Sequence, residues 1–483
     1  MNGIEQAITA ISQDVWWVLT PLVLALGCWF TYRTGFVQVT LFPRMVATLK
    51  DRTPLDAQGR PQSLSAFQAF TLSAASRVGI GNIAGVGTAI AIGGPGAVFW
   101  MWVMAWLGAA SAFIEASLAQ LYKHRTDDGF RGGPAYYIQR GLGSRRLAIV
   151  FAVILIVSSP IIINSLQAYT IAETVADAVG MPMDSWLPLA VGFVLAGLTA
   201  AVVFGGARRI AKVTESLVPS MALLYLVLGI MVIASHADQI GPVIVAIVGD
   251  AFSGESVAGG ALGTVIVTGI QRGMFSNEAG LGTAPNAAAS AATTHPVKQG
   301  LVQSLGVYFD TFLVCSITAF IVLVATPDLA GAPIGIALTQ GAVVSTLGPW
   351  SGWALSLIVF LLAFSTILGL YYYGEANIAY ITSRPTMMLA YRLLVVAVVL
   401  VGCTLNAGAV WTLSDLALAM LTLINLPVIA RLSRHVVALL RDYRAQLAAG
   451  HDPVFTRDRL PDAPGIEVWE NVESVAGRKR QGP

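Results

Sequence analysis

The sequence predicts an all-α polytopic membrane protein with about eleven transmembrane helices. Three observations carry that prediction. Of 483 residues only 11% are charged and 56% are hydrophobic, with a mean hydropathy of +0.72. Soluble domains carry roughly 25% charged side chains. Apolar runs of membrane-spanning length recur along the whole chain. Of its 28 Lys and Arg, 26 fall in or at the edges of alternate loops and the C-terminal tail, and two, Arg77 and Arg272, lie inside apolar runs. This composition excludes intrinsic disorder, a coiled coil, a secreted disulfide scaffold and a nucleic-acid partner. Cys28, Cys315 and Cys403 lie far apart inside apolar runs, with no CxxC pair, and read as small apolar filler.

A spanning helix needs roughly 20 mainly apolar residues. The runs that qualify are 14–33, 64–92, 97–122, 147–170, 186–205, 214–234, 261–286, 303–326, 351–381, 388–405 and 409–431. Residues 1–13 hold no Lys or Arg, so the first run lacks the basic flank of a cleavable signal and reads as a retained helix. The stretches 240–258 and 335–348 are apolar but short or glycine-broken, and read as interfacial or re-entrant helices. From Arg434 to Pro483 the chain is polar, which suggests a cytoplasmic amphipathic helix with a flexible end.

Charge then orients the spans. One set of loops holds Arg44, Lys50, Arg52 and Arg60, then Lys123, Arg125, Arg131, Arg140, Arg145 and Arg146, then Arg208, Arg209 and Lys212, then Lys298 and Arg384. The opposite set lacks Lys and Arg yet contains Glu173, Asp177, Asp184, Asp238, Asp250 and Glu255. The positive-inside rule puts the N-terminus outside and the C-terminus in the cytoplasm, as an odd number of spans requires. The expected location is the cell (inner) membrane, with lipid around the bundle.

The second and seventh runs are anomalous. Ser76 to Gly87 and Gly269 to Asn286 place glycines and polar residues at mid-membrane depth. Backbone can leave a helix there only inside protein or beside a cavity. Five spans separate the two runs, and an odd repeat length inverts the second copy. Glycine-interrupted helices at matching positions of inverted halves point to a transporter substrate site. Close packing is the duller reading for either run alone, since Gly81 and Gly85 form GxxxG.

Four segments together carry a family resemblance. They are Ser76–Gly87 with GxGNIAGV, the loop Gly132–Ile138, Phe275–Gly282 with FSNEAG, and Phe364–Ile367 followed by Tyr372–Glu375. From about residue 14 to 430 the chain resembles the alanine or glycine:cation symporter family, of sodium:alanine symporter type. The resemblance implies a LeuT-type fold, a 5+5 inverted repeat plus one extra N-terminal helix. The divisions would be 1–33, the extra helix; 64–234, core helices 1–5; 261–431, core helices 6–10; and 432–483, the cytoplasmic tail.

It also implies roles. Gly79, Ile80 and Gly81 would offer backbone N–H groups to a substrate carboxylate, with Asn82 beside substrate or sodium. Gln167, Phe275, Ser276, Asn277 and Glu278 would complete the pocket. The sodium site would combine carbonyls of Ala75 and Val78, the side chain of Asn82 and the hydroxyls of Ser365 and Thr366. Oxygen-only ligation suits a hard cation. The implied substrates are small neutral amino acids, chiefly alanine and glycine, with Na+ as coupling ion and the monomer as working unit. No catalytic residue is expected, because His124, His236, His295, His435 and His451 all fall in loops or tail without metal spacing.

Intramembrane charges are costly unless paired or hydrated. Arg77 is expected to pair with Glu278; Glu115, Asp310 and Glu375 to form a cytoplasmic gate or network. A proton-coupled carrier using Glu278 or Asp310 is the alternative. A channel fits less well, since channels show pore-lining rings.

Overall fold

A computed structural model describes residues 3–56, 58–127, 129–253, 262–326, 328–329, 331–405 and 407–476. Each of the eleven apolar runs forms a helix. Among the described residues, eight helices are long and apolar enough to cross a membrane, and the bent pair Ala66–Arg77 and Gly81–Gly93 makes nine. The two remaining runs give the shorter Leu187–Val203 and Leu262–Asn277. The second of these stops short because its backbone leaves the helix at Glu278.

The extra helix Gly3–Arg33 packs on core helix 2 (Gly96–Leu121) and core helix 10. Core helix 1 starts at a capping box, Ser65 with Gln68. It then breaks after Arg77 and bends by 52°. A two-stranded hairpin, β1 (His124–Thr126) and β2 (Gly129–Arg131), follows core helix 2. Core helices 3, 4 and 5 are Arg145–Val179, Leu187–Val203 and Gly206–Ser235. The second half has core helix 6 (Leu262–Asn277), core helix 7 (Pro296–Ala325), core helix 8 (Trp350–Ile381) and core helix 9 (Pro385–Gly402). The short apolar stretches form Ile240–Ser253 and Ile336–Leu347.

Of the eight unbroken spans, core helices 2 and 8 are the most enclosed, as expected of elements flanked on all sides. Core helices 4, 5 and 9 turn Phe193, Val194, Leu223, Ile230, Leu389 and Leu393 outward. Lipid covers such apolar faces without cost. Cys28 is exposed on the N-terminal helix rather than buried filler.

Two expectations about the C-terminus need correction. Core helix 10 and the cytoplasmic helix are one continuous element, Ala407–Ala448, because no breaker separates them and Pro427 is carried inside. Residues 449–476 are not a loose end. They fold back over the protein with Phe455 and Trp469 almost fully buried. Trp469 Nε1 donates to the Gln120 carbonyl at 3.0 Å, and Phe455 N donates to the Thr294 carbonyl at 2.9 Å. Apolar burial thus decides what polar composition hid. Glu255 and the Arg478–Lys479–Arg480 cluster lie outside the described residues.

Candidate functional site

The two broken helices meet face to face. In core helix 1 the residue after the first half, Val78, takes φ −81° and ψ 86°, which ends the α-helix. The chain re-enters through a π-helical turn, Gly81–Gly85. At Gly79 an added Cβ would lie 2.3 Å from Thr366 Oγ1, so only glycine lets this backbone approach core helix 8. In core helix 6 the unwinding runs through Glu278, Gly280 and Gly282, at φ 56°, 90° and 81°. Two of these left-handed positions are glycine. Glu278 bears a Cβ there and is held by side-chain bonds: Thr283 Oγ1 donates to Oε2 at 2.9 Å, and Ser76 Oγ and Tyr373 OH each at 3.4 Å. A short helix, Pro285–Ala289, follows. Core helices 3 and 7 carry π segments at Ser158–Ile163 and Tyr308–Cys315, beside the same breaks. Such wide turns gather at functional sites because they re-aim side chains.

Between the breaks lies a closed cavity of about 10 Å³, lined by Ser76, Arg77, Gly81, Ile163, Gln167, Phe275, Glu278, Leu281, Thr283 and Leu418. That is room for about one water. Of the residues expected at the pocket, Gly81, Gln167, Phe275 and Glu278 line it. Gly79 N donates to Asn82 Oδ1 at 2.9 Å, and Ile80 N donates to Gln167 Oε1 at 3.3 Å. Two of the three amides expected to take a carboxylate, those of Gly79 and Ile80, are therefore satisfied internally. Ser276 and Asn277 point to core helix 7 instead: Ser276 Oγ donates to Asp310 Oδ2 at 2.8 Å, and Asn277 Nδ2 donates to Thr311 Oγ1 at 3.2 Å.

The candidate ion ligands divide into two groups. Thr366 Oγ1 and Ser365 Oγ lie 2.9 and 3.4 Å from the Ala75 carbonyl oxygen, at the end of the first half-helix. Both hydroxyls also reach back to the Leu362 carbonyl, as Ser and Thr in helices commonly do. Val78 ends that half-helix. Asn82 does not join this group. Its amide nitrogen donates to Asp310 Oδ1 at 2.6 Å, in a second cluster with Ser276 and Cys315. Asp310 is fully buried, and no Lys, Arg or His lies within ion-pair distance among the described residues.

The other intramembrane charges depart from expectation. Arg77 makes no ion pair with Glu278. Its Nη1 donates to the Gln303 carbonyl at 3.2 Å, while Nε and Nη2 have no hydrogen-bond partner. Glu278 is drawn instead into its own hydroxyl partners by the left-handed turn. Glu115 caps the core helix 6 break, accepting from Gly280 N at 3.2 Å, Gly282 N at 3.1 Å and Asn425 Nδ2. Asp310 belongs to the breaks rather than to a cytoplasmic gate. Of Glu115, Asp310 and Glu375, Glu375 alone has a cationic partner among the described residues, Arg392 at 3.9 Å. Arg272 pairs with Asp415 of core helix 10. Ile163 and Leu418 carried no signal in the sequence, being apolar residues in apolar helices, whereas Leu281 lies in the unwound segment of the Phe275–Gly282 motif.

A family model described as the sodium:alanine symporter family matches residues 1–457. Amino-acid carrier protein AlsT of Bacillus subtilis is 44% identical, with 99% of this chain and all of that protein covered. The probable sodium/glutamine symporter GlnT of Bacillus subtilis is 43% identical, with 97% of each chain covered. Among solved structures, that of MhsT in complex with L-phenylalanine superposes with a TM-score of 0.58 at 14% identity, over 88% of this chain and 97% of that one. At that identity the likeness speaks to fold, and it agrees with the LeuT-type arrangement.

Proposed function

The chain belongs to the sodium:alanine symporter family, and from that premise we propose that it carries alanine and/or glycine into the cell with Na+ by alternating access. It is a multi-pass membrane transporter and not an enzyme. The observation that carries the finer reading is one juxtaposition. The core helix 1 break touches the core helix 6 break on one side and the hydroxyls of Ser365 and Thr366 on the other.

In this reading Na+ is a co-transported substrate held by the carbonyls of Ala75 and Val78 with Ser365 and Thr366. Its binding orders the break, and the ordered break presents Gly79, Ile80 and Gly81 to the amino-acid carboxylate. Gln167 and Asn82 release those amides as the carboxylate arrives. Phe275 and Glu278 wall the pocket, with Ser276 and Asn277 behind them. The two halves, 64–234 and 261–431, then rock against each other in a monomer. The loop charges support an outer N-terminus and a cytoplasmic C-terminus in the inner membrane.

A proton-coupled reading has one observation in its favour, the buried Asp310 carboxylate without a cationic partner. Uptake of labelled alanine into proteoliposomes separates the two. A Na+ gradient is expected to drive accumulation, choline to abolish it, and glycine to compete best among twenty amino acids. Full uptake in choline under a proton gradient would overturn sodium coupling.

A further inference from the structure

We propose a phosphate-binding site for the headgroup of an anionic phospholipid, where core helices 5, 8 and 9 meet the β1–β2 hairpin. A cavity of about 300 Å³ lies there, with Arg131 of β2, Arg208 of core helix 5, Tyr372 and Glu375 of core helix 8 and Arg392 of core helix 9 in its lining. That volume stands at the lower end of small-molecule sites.

The charge of the lining sets the chemistry. Three arginines face one carboxylate. Arg392 is partly used: its Nη2 lies 3.9 Å from Glu375 Oε1, and its Nε donates to Tyr371 OH at 3.3 Å. The guanidiniums of Arg131 and Arg208 enter no ion pair among the described residues. Two uncompensated cations around one hollow attract an anion, and the planar guanidinium fork matches phosphate oxygens. Core helix 5 begins on the same wall, at Gly205 and Gly206. No side chain caps its first turn, and a Cβ added at Gly206 would meet nothing within 4 Å, so the backbone there is open. The positive end of this 30-residue helix adds to the field of the arginines.

The rim of the cavity selects a lipid as the source of the phosphate. Phe204 and Met387, sequence neighbours of the lining residues Gly205 and Met388, are exposed, and so is Leu389. They lie where core helix 4 ends and core helix 9 begins, two helices with outward apolar faces. The Arg392 guanidinium stands 5.9 Å from the Phe204 ring centroid, so charge and apolar surface adjoin. A free phosphate uses the hollow alone. A phospholipid fills the hollow and lays its acyl chains on the apolar rim, and basic pockets between membrane helices hold anionic headgroups in this way. A headgroup bound here ties the hairpin to core helices 5 and 9.

Equilibrium binding of labelled dioctanoyl-phosphatidylglycerol to the purified full-length protein in neutral detergent tests this. Dioctanoyl-phosphatidylcholine and inorganic phosphate serve as competitors. Saturable binding of about one molecule per chain is expected, with the choline lipid competing at least about tenfold less well. Arg208→Gln, at an exposed position, should weaken binding about tenfold, and Arg131→Gln likewise. Arg209→Gln removes the same charge from the next residue, outside the lining, and should leave binding unchanged. The lipid should raise the thermal midpoint of the unaltered protein and not that of Arg208→Gln. Equal losses in Arg208→Gln and Arg209→Gln would reduce the effect to diffuse surface charge, and equal competition by the choline lipid would deny the arginines their part; either overturns the site. Displacement by inorganic phosphate at the lipid's own concentration would give the hollow to a soluble phosphate and overturn the lipid assignment.

Discussion

At Gly79 and Glu278 the backbone does what ordinary helix cannot. An alanine at Gly79 would drive its methyl into Thr366 Oγ1. Gly79→Ala is therefore expected to reduce uptake more than about 100-fold while the protein still inserts and purifies. One displaced break, unlike a lost core layer, spoils geometry rather than packing. Glu115 is the counterweight at the other break. Removing its carboxylate strands the Gly280 and Gly282 amides, at about 1–3 kcal/mol each. Glu115→Ala should lower the thermal midpoint in detergent clearly more than Glu115→Gln, which keeps an acceptor; equal shifts would deny Glu115 its capping role. Glycine runs announce themselves in a sequence, so Gly79 and Gly81 stood out directly, whereas Ser365 and Thr366 were marked only by the family resemblance. The pairing of Arg272 with Asp415 could not, because 143 residues separate them and only the fold joins them. Arg77 misled for a related reason: similar depth does not guarantee contact, and its nearest acceptor is a carbonyl on core helix 7.

Among the elements, the C-terminal segment changes most once its contacts are known. Hydropathy read residues 449–476 as polar and loose, since two buried aromatics hardly move an average. Yet Trp469 and Phe455 are buried against the ends of the bundle's helices. Lys298 joins Asp452 at 2.7 Å and Asp51 at 2.9 Å, and Gln62 Nε2 donates to the Ser474 carbonyl at 3.0 Å. Glu467 holds Arg140 and, at 2.6 Å, His124. Lys123, between the rings of Phe130 and Trp469 at 3.9 and 4.3 Å, is buried, and burial holds its ammonium well below the usual lysine range. Trp469→Ala is expected to remove about 3–5 kcal/mol of docking. Amide exchange in 449–476 should then rise by orders of magnitude, while core helix 2 exchanges as before. Unchanged protection would mean that the ion pairs alone hold the segment. Helix ends elsewhere followed sequence signals closely, as at the Ser65–Gln68 box and at Pro385. The π segments of core helices 3 and 7 had no such signal, because an extra residue per turn is imposed by neighbours.

For the whole molecule, the two breaks meet at a cavity that holds about one water, with the proposed ion ligands beside the core helix 1 break. In the proposed sodium-coupled cycle coupling is reciprocal: Na+ tightens amino-acid binding by the factor by which the amino acid tightens Na+. The apolar runs made the membrane helices legible from the start, and the paired glycine-rich runs marked where two of them break. How the halves touch was not legible, since inverted copies show equivalent positions and not their contacts. The most direct test is the affinity of the purified protein for labelled alanine, with Na+ and with choline, in the unaltered protein and in Thr366→Val. Na+ should tighten binding at least about tenfold in the former. In Thr366→Val, which keeps volume but loses the oxygen beside the Ala75 carbonyl, that factor should fall toward one. The same Na+ enhancement in both proteins would contradict a sodium site at the core helix 1 break.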